Sequence, residues 1–129
     1  MKKIIPILLL AIFLVGCAGN AGGLGYRQIG MEEAVSIMED ESGYIILDVR
    51  TPEEFGEKHI PGAVNIPNEA IGTEEIFQLP DKEQLILVYC RSGNRSKQAS
   101  GKLVALGYTN IVEFGGINDW PGETVSEKN

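Results

Sequence analysis

The chain has little cysteine and less histidine: Cys17, Cys90 and His59 are all there is among 129 residues. Two cysteines exclude a fold stapled by several disulfides, and one histidine argues against a Cys/His zinc cluster. No run of basic residues is present, and the formal net charge is -7, a poor balance for holding nucleic acid. No apolar run reaches the roughly 20 residues that a membrane-spanning helix needs. What is present is ordinary globular material, with 43% hydrophobic and 22% charged residues. That amount suits one domain around one core rather than a disordered or fibrous chain.

The N-terminus reads as an address. Lys2 and Lys3 precede a 12-residue apolar run, Ile4 to Val15, interrupted only by Pro6. Its length and flanks fit residues 1–16 as a signal peptide. The run closes in Leu14-Val15-Gly16-Cys17, which resembles the lipobox of bacterial lipoproteins. That resemblance implies cleavage before Cys17, lipidation of its sulfur and anchoring to a bacterial membrane outside the cytoplasm, periplasmic or on the cell surface. More than one acyl chain would be needed for a stable hold. Cleavage would leave 113 residues and, with Lys2 and Lys3 gone, a formal charge of -9. Residues 17–25 then form the lipidated cysteine and a glycine-rich tether, whose eight residues after Cys17 reach about 16 Å. Cys90 would be the one free thiol.

Residues 26–129 alternate strand and helix signals. Tyr26 to Ile29 reads as a short strand. Met31, Ala34, Val35 and Met38 recur at helical spacing over residues 31–40. Tyr44–Leu47 and Leu85–Tyr89 are unbroken apolar runs of the kind buried on both faces of a parallel sheet. Ala63–Ile66 is a further short strand, and Glu69–Gln78 is expected to hold one or two helical pieces. A helix is expected over Ser96–Leu106, with Gly107 as its C-terminal stop, then a strand over Ile111–Phe114. The alternation predicts an α/β domain with a mainly parallel sheet flanked by helices on both faces.

The chemistry is expected at Cys90, where a buried strand runs into the polar loop Arg91-Ser92-Gly93-Asn94-Arg95-Ser96 and then into a helix. Ligands of α/β sheets bind beyond the carboxyl ends of strands, and a helix N-terminus offers unpaired N–H groups to an anion. Gly93 permits a tight turn, and Arg91 and Arg95 are expected to face an anion. Such surroundings lower a thiol's pKa from about 8.5 and favour the thiolate. Asp48, Arg50 and His59 are read as structural first: Asp48 as a hydrogen-bonded loop residue, Arg50 as its partner or a brace for the active loop, His59 as part of a packed turn. Trp120 is expected in the core.

Together these segments resemble a single rhodanese domain over residues 26–122. The resemblance is carried by Cys90–Ser96, by Leu47-Asp48-Val49-Arg50 with Pro52-Glu53-Glu54-Phe55 after it, by His59-Ile60-Pro61-Gly62-Ala63, and by Gly115-Gly116 with Trp120. It implies a sulfurtransferase that needs no metal or organic cofactor. Cys90 would take sulfane sulfur from thiosulfate or a persulfide donor, and a thiol or cyanide acceptor would remove it. The acceptor thiol can belong to a small molecule or a protein, and no nucleic acid is involved. Related phosphatases and arsenate reductases resemble a Cys-x5-Arg loop; here Arg95 gives Cys-x4-Arg, a shorter loop suited to sulfur. A binding module without turnover is the alternative from another class. Thiol redox exchange is disfavoured because no Cys-x-x-Cys pair supplies a resolving thiol.

Overall fold

A computed structural model describes residues 23–127. The signal peptide, Cys17 and most of the tether therefore lie outside the described residues. Among the described residues no helix is long and apolar enough to cross a membrane.

Five parallel strands form one sheet in the order β1-β5-β4-β2-β3. They are β1 (Arg27–Gln28), β2 (Ile45–Asp48), β3 (Val64–Asn65), β4 (Ile86–Cys90) and β5 (Ile111–Gly116). The strand with the longest apolar run, β4, sits at the centre, and all five of its residues are buried. Alternate side chains along the strands feed two cores. Val88, Cys90 and Ile111 join Ala99 and Leu103 on one face. Leu87, Tyr89, Val112 and Phe114 join Ala34 and Ile60 on the other. A two-sided sheet of this kind needs apolar residues at every position of its central strand, which β4 supplies.

Helix α1 (Met31–Asp40) covers the second face through Ala34, Ile37 and Met38. Helix α2 (Pro52–Glu57) is short and starts with a reciprocal cap: the Thr51 hydroxyl accepts the Glu54 amide, and the Glu54 carboxylate accepts the Thr51 amide. Helix α3 (Asn94–Ala105) covers the first face with Ser96, Ala99, Ser100 and Leu103, a spacing that keeps one stripe against the sheet. It ends at Gly107, whose φ of 102° lets the Tyr108 amide return to the Leu103 carbonyl.

Two expectations are corrected. Helix α3 begins at Asn94, not Ser96, because the turn that carries the loop into the helix is made at Gly93. Residues 69–78 are not helical beyond one 3₁₀ turn, Asn68–Ala70. Past it the chain runs as bends and turns, and it buries Ile71 and Leu79 against the first core. Eight residues apart, those two anchors are reached by a chain that follows the surface rather than by a continuous helical stripe.

Candidate active site

Cys90 is the last residue of β4 and pairs across the sheet with Gly116 on β5. Its side chain is 1% exposed. The loop turns at Gly93, whose φ of 116° is a left-handed value that glycine adopts without strain. The turn aims the Gly93 amide at Cys90 Sγ, 3.0 Å away. The opposite wall is backbone: a Cβ on Gly116 would lie 1.9 Å from the Arg91 carbonyl oxygen. Gly116 therefore lets β5 close against the loop, and the Asn118 amide then donates to that same carbonyl.

Burial alone pushes the Cys90 thiol up. The hydrogen bond shared with the Ser96 side chain, and those from the amides of Ser96, Gly93 and Ser92, outweigh it and hold the thiol below its ordinary value. Partial charges at the head of α3 act in the same sense. A sulfur anion at this position meets inward N–H groups rather than water.

Ser96 is fully buried beneath Cys90. Its Oγ lies 3.4 Å from Cys90 Sγ, 3.4 Å from the Gly115 carbonyl, and 2.5 Å from Oε2 of Glu113, to which it donates. The same Oε2 accepts the Gly115 amide at 3.0 Å. Glu113 is 3% exposed. Sequence reasoning counted it only as part of the last strand; a lone charged residue within Ile111–Phe114 is the signal that could have singled it out.

The two loop arginines differ. Arg91 is exposed and lines a polar cleft of about 180 Å³ with Arg50, Glu54, Glu57, Lys58, Ile117 and Asn118. Arg95, expected to face an anion, instead gives both guanidinium nitrogens to Glu54, at 2.8 and 3.2 Å. That pairing, helped by the bonds from Thr51 and opposed by partial burial, holds Glu54 at about 2. Ser92 and Asn94 are exposed on the outer side of the loop.

Asp48 and Arg50 form a buried pair at 2.8 Å, and Asp48 also accepts the Tyr89 hydroxyl at 2.6 Å. Arg50 donates onward to the Lys58 carbonyl, and Tyr89 accepts the Ile60 amide. The network ties the ends of β2 and β4 to the segment that follows α2. His59 stacks on Phe55 at 3.7 Å between ring centres and pairs its backbone with Val125. Trp120 is half-buried at the edge of the second core rather than within it. A larger cleft, about 430 Å³, runs along residues 66–78 and includes none of the loop. Among the described residues no group of three or more His, Cys, Asp or Glu side chains is arranged to hold a metal ion.

The profile of the Rhodanese-like domain family matches residues 31–123. The chain is similar to thiosulfate sulfurtransferase PspE of Escherichia coli (strain K12), with 38% identity over 73 residues, 57% of this chain and 70% of the relative. It is similar also to adenylyltransferase and sulfurtransferase uba4 of Ogataea parapolymorpha, with 33% identity over 102 residues; that match takes in 77% of this chain and only 26% of the much longer relative. Among solved structures, the rhodanese-like domain of an Anabaena protein superposes with a TM-score of 0.70 at 28% identity, covering 78% of this chain and 79% of that one.

Proposed function

Because the chain belongs to the rhodanese-like domain family, we propose that it is a sulfurtransferase that carries sulfane sulfur on Cys90. The observation that carries this reading is the Gly93 amide 3.0 Å from a buried Cys90 Sγ at the head of α3. A thiolate there attacks the outer sulfur of thiosulfate or of a persulfide donor. The donor's S–S bond breaks, and sulfite or a thiolate leaves with the electron pair. Cys90 is then a persulfide anion, and the loop amides face its charge as oxyanion-hole donors face a developing oxyanion. A thiol or cyanide acceptor attacks the outer sulfur, and Cys90 leaves as thiolate. Dividing the transfer into two displacements is covalent catalysis. Arg91 and Lys58 are the cations an anionic donor would meet in the polar cleft beside the loop, where Glu54 is taken by Arg95 and Glu57 stands opposite in charge.

The test is the intact mass of the full chain carrying Cys17→Ser, so that Cys90 is its one thiol, before and after thiosulfate. One added sulfur atom, released by cyanide and absent when Cys90→Ser is also present, supports the reading. An unchanged mass with both thiosulfate and polysulfide, while the thiol still alkylates, overturns it in favour of a binding module. The N-terminal segment supports the further reading that the domain is held outside the cytoplasm by lipid on Cys17. Incorporation of labelled fatty acid that Cys17→Ser abolishes is the expected outcome.

A further inference from the structure

Ser96 has one hydroxyl proton and two anionic claimants. Cys90 Sγ lies 3.4 Å from its oxygen, and Glu113 Oε2 lies 2.5 Å from it. The shorter contact is in the range of a strong O–H···O⁻ bond, whereas the longer is an ordinary distance for sulfur. With Glu113 ionised, the proton points at the carboxylate and Ser96 turns lone pairs toward Cys90. In that state the hydroxyl can accept from a thiol but cannot donate to a thiolate. With Glu113 protonated, the carboxyl donates to Ser96 and frees the hydroxyl proton for sulfur.

The surroundings leave this contest undisturbed. Glu113 is buried between α3 and the sheet. On α3 the charged side chains at this end are Arg95, which is taken by Glu54, and Lys97, which is exposed near Gly93. On β1, Gln28 is in register with Glu113, and its neighbour Arg27 is exposed. On β4 the facing titratable group is Cys90 itself. Among the described residues Glu113 forms no ion pair; its near partners are Ser96 and the Gly115 amide.

We propose that Glu113 is a positioning residue whose carboxylate competes with the Cys90 thiolate for the hydroxyl proton of Ser96. This rests on the reading of Cys90 as the nucleophile. To donate to a Cys90 thiolate, Ser96 must turn its hydroxyl from carboxylate to sulfur, and Glu113 then keeps only the Gly115 amide.

The experiment is the pH dependence of Cys90 alkylation by iodoacetamide in the full chain carrying Cys17→Ser, with Glu113→Gln, Ser96→Ala and the double variant added. It reads the thiolate directly and needs no sulfur transfer, so its outcome is separate from that of the mass experiment. Glu113→Gln keeps an acceptor for Ser96 and Gly115 but removes the carboxylate. The expected result is a midpoint lower by about one pH unit, or tenfold more thiolate at a fixed pH below it, with a clearly smaller shift when Ser96 is already Ala. An unchanged or raised midpoint overturns the proposal. An equal shift in both backgrounds also overturns it, because Glu113 would then be only a neighbouring charge. Should Glu113→Gln not fold, Glu113→Asp, which keeps the charge but draws it back from Ser96, decides: a lowered midpoint supports the competition, and an unchanged or raised one overturns it.

Discussion

Arg95 in the first turn of α3 and Glu54 in the first turn of α2 form a two-pronged ion pair, at 2.8 and 3.2 Å across 41 residues of sequence. The pair joins the first turn of the helix that follows the Cys90 loop to the capping box of the helix after β2. It takes Arg95 away from the anion it was expected to face and makes that residue a brace, with Arg91 as the loop's exposed cation.

Acid should expose this brace. Glu54 is held at about 2 against an ordinary 4.5. A carboxylate depressed on folding contributes stability above its unfolded pKa, and that contribution is lost as the pH falls through the folded one. Between pH 4.5 and about 2 the wild-type chain should lose more stability than Glu54→Gln, by about 1 kcal/mol for a partly exposed pair. Urea unfolding at a series of acidic pH values measures it.

The thiol should titrate early. Burial raises Cys90, but the hydrogen bond shared with the Ser96 side chain and those from the loop amides more than offset it. The midpoint of Cys90 alkylation in the folded chain should therefore lie below that of the same thiol in denaturant. Because the folded value is the lower one, the loop adds stability above the unfolded thiol's pKa and loses it as the pH falls through the folded value. Alkylation rates with and without guanidinium check the sign.

Gly116→Ala should damage the loop from the far side. The new methyl would lie 1.9 Å from the Arg91 carbonyl oxygen, which is backbone and cannot swing aside. A cost of about 2–3 kcal/mol and a collapse of thiolate reactivity are expected, since overpacking beside a close backbone contact displaces the main chain. Thermal unfolding and Cys90 alkylation read the two effects. Gly93→Ala, strained at a φ of 116°, should cost about 1–2 kcal/mol.

Arg91→Ala should behave in the opposite way. The side chain is exposed and lines the polar cleft, with no buried contact to lose. Stability should stay within about 0.5 kcal/mol of wild type. KM for thiosulfate should rise several-fold with a smaller change in kcat, and the difference should shrink as salt is added. Steady-state kinetics at two ionic strengths distinguish this from a structural effect.

Much of the architecture is legible in local pattern. Unbroken apolar runs mark β2 and β4 because strands buried on both faces have no polar side to alternate. The polar, glycine-centred loop after β4 marks the end of the sheet that holds the candidate site. Asp48 and Arg50 pair within two residues, so their partnership can be read from adjacency. Long-range partners cannot be read in this way. Glu54 and Arg95 meet only because α2 and α3 begin at the same end of the sheet. Glu113 meets Ser96 only because β5 lies beside β4. Residues 69–78 suggest one or two helical pieces, of which only the 3₁₀ turn Asn68–Ala70 forms, and the anchors beyond it, Ile71 and Leu79, are set by the shape of the first core.

The sheet order has a consequence for when the thiol becomes reactive. Everything that surrounds Cys90 on one side, from Glu113 through Gly116 to the Asn118 amide, belongs to the last quarter of the chain and docks next to β4. A partly folded chain holding only β2, β3 and β4 would present Cys90 on a sheet edge without its far wall. Assembly of non-local parallel pairs is a late, slow event in folding. A chain that lacks β5 would thus keep the amides of the loop around Cys90 but not the wall that closes it from the other side.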